Sequence, residues 1–241
     1  MLMLGALINS AAIVAGGIWG LAAKRPVPGP IELLAKVGLG VFTIWFGLRL
    51  TWRSLNGSVR QVLGELGVVL LAMTLGKLAG KLLRLQKISN AIGRAATRKV
   101  SEVGDGGSFD DGFLTATSLY CAAPLAILAP VQEGLGGAPE AFIIKAIMDG
   151  LATMAFCATF GWGAAVSALP VFAYEGALTR GIRILEPTLH KSAKPLLDSV
   201  NATDGLLIFC VGLIILQLKR IEVADYLPSL ALAPLLMWWL W

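Results

Sequence analysis

The sequence predicts an all-α, polytopic transmembrane helix bundle of six to eight spans, and three observations carry that prediction. Of 241 residues, 56% are hydrophobic and only 15% are charged, whereas a soluble domain keeps its surface wet with about 25% charged residues. The mean hydropathy is +0.76. The apolar residues also come in runs of about 20, the length of helix that crosses a bilayer core. This composition excludes a disordered chain, a collagen-like chain and a disulfide scaffold. Cys121, Cys157 and Cys210 lie far apart in apolar runs with no CxxC pair, so they read as small core residues.

The candidate spans, taken in order, are Leu2–Ala23, Leu34–Trp52, Val62–Leu83, Phe113–Val131, Ala141–Phe160, Gly163–Leu178, Gly205–Leu218 and Tyr226–Trp241, within one integral membrane domain over 1–241. The first carries no charge before Lys24. It therefore lacks the basic n-region of a signal peptide and is expected to remain as a span. Gly16 and Gly20 on it have the GxxxG spacing of close helix packing. Gln132 and Glu133 close the Phe113–Val131 run, and Pro124 and Pro130 are both expected to interrupt it. The pair flanking Gly161-Trp162-Gly163 has almost no loop. It reads as a tight hairpin, a re-entrant pair, or one long span with a broken middle. Leu206–Leu216 is short, and Pro228 and Pro234 interrupt the last segment.

Orientation follows the basic residues. Lys81, Arg84, Lys87, Arg94, Arg98 and Lys99 fall in one polar interval, which the positive-inside rule makes a cytoplasmic loop over 84–111. Gly104–Asp111 would end it as a flexible linker. Counting back three spans puts the N-terminus outside, and counting forward one puts Glu133–Glu140 outside. After that the rule falters, because Arg180, Arg183, Lys191 and Lys194 would also lie outside. Either Arg180–Ser199 is an interfacial amphipathic stretch or the pair over 141–178 does not cross twice. The net charge of +5 is thus assigned to membrane flanks rather than to nucleic acid. Trp162, Trp238, Trp239 and Trp241 read as interfacial belt residues.

A weak internal echo links Trp19–Arg25 with Tyr174–Arg180, as inverted repeats would. A rival echo links Ala6–Asn9 with Ala146–Asp149, and the two alignments are incompatible.

Polar groups inside a span are costly, so each is a candidate for function. Lys145, Asp149 and Thr153 form an i, i+4, i+8 stripe in an apolar helix. A snorkelling Lys145 paired with Asp149 would account for part of it. Asp111, Thr115 and Ser118 form a second stripe of oxygens that leads to the prolines and to Glu133. Asn9 sits within the first span, where a hydrogen bond between helices would also account for it. Glu175 and Asp204 each lie beside a glycine near an expected helix end. Glu65 and Lys77 complete the set, with Lys77 near an interface.

Enzyme signatures fail in turn. No GxxxxGK[ST] or GxSxG occurs, and His190 is the only histidine, which removes phosphate-loop, serine–histidine and most zinc chemistry. Asp149 and Asp204 could share a proton as a protease dyad, but nothing around them supports it. No catalytic residue, cofactor or resident metal is expected.

Several stretches together resemble one family. They are Phe109-Asp110-Asp111-Gly112-Phe113-Leu114-Thr115-Ala116-Thr117-Ser118-Leu119, Val131–Leu135, Lys145–Gly150 and Asn201–Ile208, with Gly5–Asn9 and Val223–Pro228 at the two ends. The resemblance is to a family of unknown function of prokaryotic inner-membrane proteins that includes YqgA and YdfK, and it covers nearly the whole chain in order. The label usually attached to that family, a sodium channel or pump, implies ion movement and assigns no residue roles. Asp204 stands where the family more often has glycine, and Ile214 where it usually has asparagine. If that asparagine helped hold an ion, the nearby Asp204 would compensate.

The expectation is a channel or secondary transporter for a small cation such as sodium, multi-pass in the plasma membrane and assembled as a homo-oligomer. Carboxylates, hydroxyls and freed carbonyls are the hard ligands that suit such ions. The expected path is Asp149 with Asp111, Thr115, Ser118, Glu133, Thr153, Lys145, Asn9, Glu175 and Asp204. The rival readings are a non-transporting scaffold or lipid-interacting protein and, well behind, an intramembrane enzyme.

Overall fold

A computed structural model describes residues 3–23, 29–55, 57–103, 108–192 and 194–240. Among them every regular element is helical. In chain order these are α1 Leu4–Ala23, α2 Gly29–Ser54, α3 Val59–Leu82, α4 Leu85–Val103, α5 Phe109–Ala122, α6 Leu125–Gly134, α7 Glu140–Phe160, α8 Gly163–Val166, α9 Ala168–Ser192, α10 Lys194–Ile215, α11 Val223–Tyr226 and α12 Ser229–Leu240. Among the described residues six segments are long and apolar enough to cross a membrane: α1, α2, α3, α7, α10 and Val223–Leu240. The bent pair α5 and α6 makes a seventh if it counts as one span.

Several boundaries differ from the sequence reading, each for a local reason. The polar interval drawn as a loop over 84–111 is largely the helix α4, an amphipathic segment whose charges punctuate a helical period. The stretch called a flexible linker begins at 104–107, outside the described residues, and ends in the start of α5, where Ser108 accepts from the Asp111 N–H at 3.2 Å as its N-cap. The run Phe113–Val131 breaks once, between α5 and α6, with a bend of 57°. Pro124 is the cause: it restricts Ala123 to extended backbone (ψ 141°), as a residue before proline must be. Pro130 was also expected to interrupt the run, yet it is carried inside α6. There it removes one backbone hydrogen bond without ending the helix. The span expected at Gly205–Leu218 begins earlier, at Lys194, because its polar first turns are helical too. The final run divides at Pro228 into α11 and α12, whereas Pro234 is accommodated within α12.

The chain divides into two compact units. The first comprises Met1–Leu33, Ile88–Glu133 and Gly137–Arg180. Its centre is the α1–α7 pair, with Gly5 against Phe142, Gly16 against the Gly150 backbone and Gly20 against Met154. Both sequences ascend together, so the two helices run in the same direction. At Gly16 a side chain would collide with the carbonyl of Gly150, so the close approach requires glycine. α9 runs the other way along α1: Ser10 donates to the Ala168 carbonyl at 3.3 Å, and Gly176 meets Met3. α7 and α9 are therefore antiparallel, turned at Gly161 with φ +71°, which replaces the reading of one long span with a broken middle and fits both the hairpin and the re-entrant pair. Ile13, Ala116, Tyr120, Cys157, Ala164, Ala168 and Val171 form its buried core.

The second unit comprises Leu34–Lys87, Gly134–Gly136 and Gly181–Trp241. Here α2 and α10 are antiparallel, as Gly40 against Leu216 and Gly47 against Phe209 show. Thr51 donates across that pair to the Ala202 carbonyl at 3.1 Å. α11 and α12 pack on α3, where Gly76 meets Ser229, Gly80 meets Asp225 and Lys77 stacks over the Tyr226 ring at 4.9 Å.

Candidate functional site

The first unit brings charged side chains from two helices and a polar one from a third together inside apolar surroundings. The helical period puts Lys145, Asp149 and Thr153 of α7 on one face, and the α1 and α9 contacts carry Asn9 and Glu175 to it. Lys145 is 1% exposed, Asp149 6%, and Asn9, Thr153 and Glu175 are fully buried. The expectation that Lys145 snorkels to an interface is therefore replaced by an internal ion pair. Its ammonium donates to Asp149 and lies 3.0 Å from Glu175 Oε1. Its third side faces the Tyr120 ring at 5.8 Å, within cation–π range.

Asn9 ties the two acids together. Its Nδ2 donates to Asp149 Oδ2 at 3.1 Å and to Glu175 Oε2 at 3.0 Å. This leaves the buried Asn9 Oδ1 with no hydrogen-bond partner. Thr153 spends its proton on the Asp149 carbonyl at 2.6 Å, so the Tyr120 hydroxyl must donate in the 2.7 Å bond to Thr153 Oγ1. Removing ions from water costs several kcal/mol each even after relaxation. Here the cluster returns that cost only in part, because two carboxylates face one ammonium.

Asp149 is also the point where the cluster meets a cavity. A recess of about 1070 Å³ is walled by α4, including Arg94 and Arg98, and on the other side by Tyr120, Pro124, Met148 and Asp149. The helix break contributes directly. Ala122 to Pro124 line the recess, and the Ala122 carbonyl, past the end of the α5 ladder, accepts from the Ser89 hydroxyl at 3.5 Å.

The other expected path residues lie elsewhere. Asp111 is at the start of α5, where Lys99 donates to it at 2.8 Å and Ser108 at 3.0 Å. Thr115 is buried and Ser118 exposed, so that stripe does not present one continuous face to the recess. Glu133 accepts from the Gly5 N–H at 3.0 Å, capping the N-terminus of α1 where backbone donors lack partners. Asp204 belongs to the second unit and is fully buried, and neither of its carboxylate oxygens has a hydrogen-bond partner. Tyr120 was not among the expected residues: an aromatic in an apolar run carries no sequence signal of its own.

Helices of membrane length with ionisable groups buried between them define a multi-pass membrane protein. The chain belongs to the protein family of unknown function DUF554, whose model matches residues 4–238. It is similar to the uncharacterized membrane protein YdfK of Bacillus subtilis, 25% identical over 98% of this chain and 96% of that one. It is likewise similar to the uncharacterized protein YqgA of Escherichia coli, 26% identical over 96% and 95%. No solved structure matches the chain.

Proposed function

We propose that the protein moves a small monovalent cation, such as sodium, across a prokaryotic plasma membrane as a channel or secondary transporter, with Asp149 as the principal ligand. One observation carries the reading: Asp149 belongs to a buried cluster with surplus acid and also lines the recess beside the broken α5–α6 pair. A carboxylate in that position can be reached by an ion and is held in low dielectric, where ion–ligand attraction is strong. The ion would compete with the Lys145 ammonium for the same oxygens. The reading assigns no bond-breaking step to the chain.

The helix directions support the expected topology. α1 and α7 point the same way, so if α2 and α3 each cross once, the α5–α6 pair supplies one further crossing. The Glu133 cap at Gly5 puts Glu133 at the same end as the start of α1, as the basic residues imply, with the N-terminus outside and α4 cytoplasmic.

The scaffold reading draws on the same bonds, since Asn9, Asp149 and Glu175 also fasten α1, α7 and α9. Asp149→Asn separates the two, because it keeps the shape and removes the charge. On the transport reading this variant folds and reconstitutes normally but loses cation flux in proteoliposomes. Full flux in a well-folded Asp149→Asn protein would remove Asp149 from the path and leave the scaffold ahead.

A further inference from the structure

We propose that the Asn9–Lys145–Asp149–Glu175 cluster is an exchange site that holds either one proton or one monovalent cation, so that cation binding expels a proton. The inference rests on the cation reading above and adds the coupling.

The argument begins with charge. Two buried carboxylates converge on one ammonium, which leaves one negative charge over. Among the described residues no other ionised side chain completes the set. From the elements packed around it, α1 contributes the neutral Asn9, and α5 contributes Tyr120 and Cys121. α7 adds only Thr153, and α9 adds Tyr174. Arg94 and Arg98 stand on the far, open wall of the recess and are exposed, where water and salt screen them. An isolated buried charge of this kind is neutralised by a proton or by a counter-ion.

The second observation is the unpartnered oxygen. The Asn9 amide turns its N–H groups to the carboxylates, and its buried Oδ1 has no donor. Turning that amide over would offer Oδ1 to a cation seated between Asp149 and Glu175, the neutral hard oxygen a small ion takes alongside carboxylates. The exchange balances: a carboxyl gives up its proton, the ion takes the resulting carboxylate, and the buried charge is unchanged. One surplus charge also limits the site to monovalent ions or protons.

The test uses the full-length protein in nanodiscs, weakly buffered with a pH-indicating dye. Sodium, lithium or potassium chloride is added against choline chloride at equal ionic strength, and radioactive sodium binding is measured in parallel. The expected result is about one proton released for each cation bound. Glu175→Gln removes the surplus charge, so it should release no proton and bind cation roughly tenfold more weakly or worse. Glu175→Asp keeps the charge and should retain release, which guards against a folding artefact. Cation binding without proton release, or wild-type release from a folded Glu175→Gln, would overturn the exchange while leaving the transport reading standing. If no cation binds at all, the transport reading itself fails.

Discussion

Replacing Lys145 with methionine keeps the length and apolar stem of the side chain and deletes its charge, so it isolates the ammonium. At the 3.0 Å separation from Glu175, Coulomb's law with an effective dielectric of about 20 gives roughly 5 to 6 kcal/mol of attraction. The bond to Asp149 adds a comparable amount. Against this stands the cost of burying the ammonium itself, several kcal/mol. The net loss expected when one partner of such a group is removed is about 3–5 kcal/mol, because the acidic side chains it faces are left without a counter-charge. For a chain of this size that corresponds to a melting point lower by roughly 6–20 °C. The assay is thermal unfolding of the detergent-solubilised protein, followed by loss of the monodisperse chromatographic peak. The triple variant K145M/D149N/E175Q removes all three charges together and should recover most of the loss, since a buried ionic set can often be replaced at little cost. A Lys145→Met protein as stable as the wild type would refute the internal ion pair. A triple variant no better than the single one would show that shape, and not charge, holds these helices together.

Two further outcomes are expected. Gly16→Ala should lower stability by about 1–3 kcal/mol, because its methyl meets the Gly150 backbone and no side chain can give way. Gly38→Ala, with nothing within 4 Å, should be neutral or slightly stabilising, and equal behaviour of the two in thermal melts would count against the parallel α1–α7 contact. For topology, single cysteines at the exposed Ala95 and Ala138, in a background without Cys121, Cys157 and Cys210, should label from opposite sides of intact cells, and labelling of both from outside would reverse the assigned orientation.

How far the sequence disclosed this arrangement depends on whether each signal is local. The Lys145, Asp149 and Thr153 stripe was legible because its members share a helix and the helical period aligns them. Asn9 and Glu175 were visible only as separate oddities, since what joins them to Asp149 is packing between positions 140 and 26 apart in sequence respectively. Pro124 announced a break and made one. Pro130 gave the same local signal and the helix continues through it, because a proline removes one bond and the surrounding packing decides whether the helix ends. α4 was mistaken for a loop because its polar residues set it apart from the apolar spans, although their spacing is helical. Nothing in Asp111, Thr115 and Ser118 told that Lys99 and Ser108 would engage the first while the third faces outward. Register along one helix can be read from sequence, but the rotation of that helix in its surroundings cannot.

The parallel α1–α7 pair also constrains how the protein is made. Helices that run in the same direction cannot be joined by a short turn, and here the amide of Asn9 finds Asp149 140 residues later in the chain. At ordinary elongation rates α7 leaves the ribosome roughly 7–28 s after α1. Throughout that interval the first helix carries a polar amide without its eventual acceptors, in a solvent that offers none, at a cost of several kcal/mol. α7 suffers less on arrival, because Lys145 and Asp149 satisfy each other one turn apart before any neighbour is present. The nascent chain thus has a waiting helix and a self-neutralised one, and membrane insertion of α1 should depend on whatever shelters Asn9 until α7 docks.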